Sequence, residues 1–182
     1  MKRVLSFAIV CVLASAPVFA QGGAAVPANP LTQSGKGVYD MVKGYITKAS
    51  EQLPDNLYSF KATPEVRSFG QLFAHVADSN YMFCGAAAAE KAPGGDVEKT
   101  KTTKADLRAA LAASFAYCDK VWAATTDASA AVTVKMPFGP DMPRLTVLSF
   151  NTMHDFEHYG NIVTYMRLNK MVPPSSQGQA MR

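Results

Sequence analysis

Charge is sparse in this sequence: Asp, Glu, Lys and Arg make up 18% of its 182 residues, against 48% hydrophobic residues. The basic residues are scattered, and the densest group, Lys99, Lys101 and Lys104, forms no stripe. A nucleic-acid footprint needs such a stripe, so that class of partner is set aside. Long apolar runs are equally few. The only one, Val4 to Ser15, follows the basic Lys2 and Arg3 and precedes Val18-Phe19-Ala20. That is the layout of a secretory signal peptide, and the run is too short for a comfortable membrane span. We therefore expect residues 1–20 to be cleaved off near Ala20. The product would be exported, to the periplasm or outside the cell, with no membrane anchor. The 162 residues that remain suffice for one core and not for two ordinary domains. They carry 16 basic against 14 acidic residues, a net charge of +2.

Cysteine is scarce as well. Cys11 lies in the signal segment, which leaves Cys84 and Cys118. In an exported chain the pair reads either as a disulfide or as two small buried side chains on helix faces. No glycine-rich phosphate cradle is present, and no nucleophile stands with an evident base. The motifs therefore name no substrate, and the catalytic residues stay unassigned.

What is present is helical periodicity. Residues 21–31 (QGGAAVPANPL) read as a flexible lead-in. A first helix begins near Ser34 and ends before Pro54, with Val38, Met41, Val42, Tyr45 and Ile46 as its apolar stripe. A second runs from about Ser68 to Glu90, its core face made by Phe69, Leu72, Phe73, Val76 and Phe83, with His75 at the stripe's edge. Residues 91–102 form a polar linker long enough to cross the end of a bundle. A third helix, capped by Thr103, extends to about Thr125 through Leu107, Leu111, Phe115, Cys118 and Trp122. Val132, Val134 and Met136 alternate in a short strand-like segment broken by Pro137, Gly139, Pro140 and Pro143. A fourth helix spans about Arg144 to Asn169, and Pro173 and Pro174 stop it. The expected fold is all-α: a four-helix bundle over residues 32–172 with a polar tail at 173–182, disordered from Ser175.

The only histidines are His75, His154 and His158. Residues four apart share a helix face, so His154 and His158 can aim two imidazoles at one point. Their face continues through Val147, Asn151, Ile162 and Tyr165 and should turn inward. With His75 brought across, the set becomes three nitrogens of an open divalent site. The alternative is a pair of core or rim histidines bonded to backbone or water. Two sharper motifs fail. His154-Asp155-Phe156-Glu157-His158 matches the inverted zinc-peptidase signature, but the 24 residues after it hold only Arg167, Lys170 and Arg182 as charged groups, so no downstream acidic ligand exists. A di-iron bundle needs two Glu-x-x-His motifs, and only Asp155-x-x-His158 comes close.

Two segments carry a family resemblance. One is Pro64-Glu65-Val66-Arg67-Ser68-Phe69-Gly70-Gln71-Leu72-Phe73-Ala74-His75-Val76-Ala77-Asp78. The other runs from His154 through His158-Tyr159-Gly160-Asn161 to Tyr165-Met166-Arg167-Leu168-Asn169 and Pro173-Pro174. In this order and spacing they resemble the DinB family of metal-binding four-helix bundles over about residues 32–175. The family pattern is one His on the second helix and His-x-x-x-His on the fourth. The resemblance implies a divalent cation, zinc or nickel, held by His75, His154 and His158. It implies an up-down-down-up topology, with the second and third helices parallel. That topology would place Cys84 and Cys118 at similar depth and so favours a disulfide between them. A homodimer is likewise implied by the resemblance alone. Asn161 stands where many relatives carry Gln, and Lys170 where a Gly often ends the helix.

Two functions from different classes follow. In the first, the domain is a metal-dependent enzyme, a transferase or hydrolase acting on a small molecule, with Asp155 or Glu157 as supporting or proton-transfer groups. For Glu157 a solvated helix flank is the preferred reading. Tyr165 reads chiefly as packing, and Arg167 as a partner of the helix C-terminus. In the second, it is a non-catalytic metal-binding or stress-related domain. Better-understood relatives use cytoplasmic thiols as cosubstrates, which an exported member would not meet at high concentration.

Overall fold

The computed structural model describes residues 28–178. The expected signal peptide (1–20), most of the lead-in and the end of the tail lie outside these residues. Four long helices carry the fold: α1 (Pro30–Gln52), α2 (Phe69–Ala88), α4 (Lys104–Ala124) and α6 (Arg144–Leu168). Two single-turn helices, α3 (Val97–Thr100) and α5 (Asp127–Ala130), lie in the connections. A two-stranded antiparallel ribbon, β1 (Thr133–Val134) and β2 (Met142–Pro143), precedes α6 at the expected strand-like segment. No helix among the described residues is long and apolar enough to cross a membrane.

The helix starts follow from capping chemistry. Ser68 accepts from the Gln71 N–H while the Gln71 side chain reaches back to the Ser68 N–H, a reciprocal capping box. Thr103 accepts from the Asp106 N–H at the start of α4. Each such cap contributes about 1 kcal/mol.

Helix α1 starts earlier than its local sequence indicates, at Pro30 rather than near Ser34, so the lead-in is shorter than 21–31. Pro30 supplies a preset φ for the first turn. The cap comes from a distant residue: Asp127 accepts from the backbone N–H of Leu31 and Thr32. The buried face of α1 is also rotated. Tyr39, Val42, Ile46 and Ala49 are buried, whereas Val38 and Met41 are 47% and 51% exposed. Tyr39 wins the interior place because its ring packs against Trp122 and Phe115, and its hydroxyl finds the Phe115 carbonyl at 3.1 Å.

Polar contacts at the helix ends give the directions. Arg144 donates to the Ala87 carbonyl at one end of the α2–α6 pair, and the Tyr165 hydroxyl to the Arg67 carbonyl at the other, so these helices are antiparallel. Asp127 beyond α4 meets the start of α1, and Lys104 donates to the Leu53 carbonyl beyond its end, which makes α1 and α4 antiparallel too. Helices α2 and α4 run parallel, and Cys84 is bonded to Cys118 between them, Cα–Cα 5.4 Å. The result is an up-down-down-up bundle.

The connection across the bundle end is structured, not a plain polar linker. Gly94 lies so close to α2 that a Cβ there would sit 2.6 Å from the Tyr81 ring, and α3 follows it directly. The tail departs from the expected disorder for a related reason. A short 3-10 turn, Pro174–Ser176, folds back so that Ser175 N–H and Oγ both meet the hydroxyl of the buried Tyr159 at 2.9 Å. The described part of the tail therefore belongs to the domain.

Candidate metal centre

Helix α2 presents His75 from its second turn, and the antiparallel α6 presents His154 and His158 from its middle. Ring centroids are separated by 5.2 Å (His75–His154), 4.7 Å (His75–His158) and 4.4 Å (His154–His158). One ring nitrogen from each histidine lies within 4.8 Å of the others. The two Nε2 atoms on α6 approach to 3.1 Å. The buried Nδ1 atoms of His154 and His158 have no protein partner. Phe83 closes the His154 side, edge-on at 5.8 Å, and continues into Phe150 and Phe138 at the ribbon's tip.

All three imidazoles are held neutral. Burial depresses the pKa of His75, and the Arg67 guanidinium adds to this while Glu98 opposes it. Burial also lowers His154, reinforced by His75. His158 falls furthest, to about 3, through burial and then the two neighbouring imidazoles and Arg67. Neutral imidazoles are the form that ligates metals. A convergent set of three nitrogen donors, with unsatisfied ring atoms behind it, fits a divalent cation.

The centre forms part of the wall of a cleft of about 590 Å³. His158 lies in that wall with Arg67, Lys61, Glu98, Glu157, Asn161 and Tyr165. Tyr165 both packs, against Phe60 and Phe69, and lines the cleft, and its hydroxyl holds the Arg67 backbone carbonyl at 2.9 Å. Glu157 is exposed on the cleft wall. Asp155 points away into the interior, fully buried, with both oxygens partnerless. Burial pushes its carboxyl well above the usual carboxylate range. Arg167 is exposed in the last turn of α6 and reaches Ser176 at 3.5 Å.

One residue was not singled out by sequence reasoning. Glu98, on α3, accepts from Arg67 Nε at 2.9 Å through Oε1 and meets His75 Nδ1 at 3.3 Å through Oε2. It stands 23 residues from His75 in a connection without helical periodicity, and no local pattern announces it.

Comparison with known proteins gives the same family. The DinB superfamily sequence profile matches residues 39–162, more than half of the chain. The chain belongs to the DinB superfamily. Solved DinB-like proteins share the fold at low identity. One from Bacillus cereus aligns with TM-score 0.68 and 15% identity, covering 78% of this chain and 95% of that one. Another, from Bacillus subtilis, aligns with TM-score 0.61 and 14% identity, covering 76% and 94%. The mycothiol-dependent maleylpyruvate isomerase aligns with TM-score 0.60 and 15% identity over 72% of this chain, which spans only 60% of the isomerase. At these identities the likeness is one of fold. No curated protein matches the chain.

Proposed function

We propose that this DinB-superfamily chain is an exported domain that binds a divalent metal through His75, His154 and His158 and acts on a small molecule entering the adjoining cleft. The observation that carries the reading is the convergence of three neutral imidazoles, ligand atoms within 4.8 Å of one another, beside an open cleft. A zinc- or nickel-class ion held there supplies Lewis acidity for transferase or hydrolase chemistry. The chain's own residues bind and orient. Arg67, fixed through its backbone by Tyr165 and through Nε by Glu98, keeps its terminal nitrogens for an anionic group, and Lys61 and Asn161 line the same wall. Export rests on the pattern of residues 1–20, and the Cys84–Cys118 disulfide suits an oxidising compartment.

A second reading, a non-catalytic metal-binding domain, is favoured by one fact: no serine, threonine or cysteine lines the cleft. The test is elemental analysis of untagged mature protein beside His75→Ala and His158→Ala. Near-stoichiometric metal in the wild type, lost in both variants, is the expected result, and a metal-free wild type after reconstitution refutes the proposal. Binding of a small thiol or carboxylate to the loaded protein then separates an enzyme from a storage domain. Cell fractionation with a C-terminal epitope checks export.

A further inference from the structure

The connection between α2 and α4 reaches back to the histidine cluster. Asp78, one turn beyond His75 on α2, accepts from the backbone N–H of Val97 at 2.7 Å and of Glu98 at 3.0 Å. These bonds fasten the first turn of α3 to α2, and the close seat of Gly94 on Tyr81 holds the preceding segment. Thus anchored, Glu98 extends back along α2. One carboxylate oxygen takes the Arg67 Nε and the other faces His75 Nδ1. Both side chains of the Glu98–His75 contact are about three-quarters buried (27% and 25% exposed), so the contact is partly shielded from competing water.

We infer that Glu98 is the positioning residue of His75, and that Asp78 acts through it by holding α3 in place. A carboxylate facing Nδ1 selects the tautomer with the proton on Nδ1. The lone pair then lies on Nε2, and the ring's rotation about its χ2 is fixed. His154 and His158 lack any such partner. His75 is therefore the one imidazole whose orientation is set from outside the cluster, by a residue on a different element. The inference rests on the proposed metal site for its consequence but not for its first test.

That test is long-range ¹H–¹⁵N NMR of the metal-free wild type, which reads the His75 tautomer directly. Nδ1–H in the wild type, giving way to a mixture or to Nε2–H in Glu98→Ala, is expected. Nε2–H in the wild type, or no change in the variant, overturns the inference whether or not metal binds. The second test is zinc affinity by chelator competition. Glu98→Ala should weaken binding by about 10–100-fold, and Glu98→Gln, whose amide oxygen still accepts, should recover part of the loss. Asp78→Ala should weaken zinc binding alone but add nothing on top of Glu98→Ala, because both act through one contact. Wild-type affinity in Glu98→Ala overturns the positioning role. A wild type that binds no zinc refutes the metal reading and leaves the tautomer to decide on Glu98.

Discussion

The Nε2 atoms of His154 and His158 face each other at 3.1 Å, while the Nδ1 atoms of both rings are buried without partners. Protonating either ring places a charge where burial and the neighbouring imidazole oppose it. The unfolded chain takes up these protons near the ordinary histidine pKa of 6.5, and the folded chain does so only at lower pH, about 3 for His158. The unfolded state therefore binds more protons below 6.5, and folding stability falls as pH drops through that window. Metal-free protein should lose at most about 1.4 kcal/mol per pH unit for each such group. Urea midpoints at pH 5, 6 and 7 check this, and His158→Asn should flatten the slope. An unchanged slope in that variant refutes it.

Asp155 titrates in the opposite sense. Its carboxyl is fully buried, accepts no hydrogen bond, and is held protonated well above its ordinary value of 3.8. Stability from this group is greatest below 3.8 and is lost as pH rises toward the folded value. Asp155→Asn keeps the shape and removes the ionisation. The variant should be more stable at pH 8, by about 1–3 kcal/mol, with a smaller gain at pH 5. Denaturation at the two pH values decides the matter, and equal stability at pH 8 counts against it. A simultaneous fall in zinc content would show that the buried carboxyl supports the metal centre.

The Cys84–Cys118 bond joins the two parallel helices across 34 residues of sequence. Closing a loop of that length should stabilise the fold by about 3–4 kcal/mol through the unfolded chain's lost entropy. Both sulfurs are fully buried, so reductant reaches them only when the bundle opens. The Cys84→Ala/Cys118→Ala double variant should therefore show a lower urea midpoint. Native wild type should yield no free thiol without denaturant in the presence of mild reductant. Rapid reduction of the native protein contradicts this.

The four helices and the first strand of the ribbon were legible because their signals are local, whereas its second strand contains Pro143, which reads as a breaker. Thr103 with Asp106 marks a helix start, and Phe69, Leu72, Phe73 and Val76 repeat at helical spacing. The histidine trio was legible in part: His154 and His158 share a face by spacing alone, whereas the placement of His75 beside them came only from the family resemblance. The features that escaped depend on contacts distant in sequence. Asp127 caps α1 from 95 residues away, so the true start at Pro30 had no local mark. Tyr39 displaces Val38 and Met41 from the core because Trp122 and Phe115 provide its pocket. Glu98 lies in a stretch whose only visible character was polar. Periodicity reports which face of a helix is apolar, not which distant polar group will meet it.

Arg67 provides the last prediction. Its guanidinium depresses the pKa of all three imidazoles, so its charge acts on the cluster as a whole. Its Nε is taken by Glu98, and Arg67 lines the cleft. Replacing it with Gln removes that charge while keeping a polar side chain. In metal-free protein the three histidine pKa values should all rise in Arg67→Gln, as read by NMR titration. In zinc-loaded protein, affinity for mercaptoacetate, a small thiol with a carboxylate, should fall about tenfold, the loss of one charge-assisted hydrogen bond at a partly exposed site. Calorimetric titration of wild type and variant makes the comparison. Rising histidine pKa values with unchanged mercaptoacetate affinity would mean that Arg67 sets the field of the cluster but does not receive the ligand's anion, and the wall residues Lys61 and Asn161 would then be the next to replace.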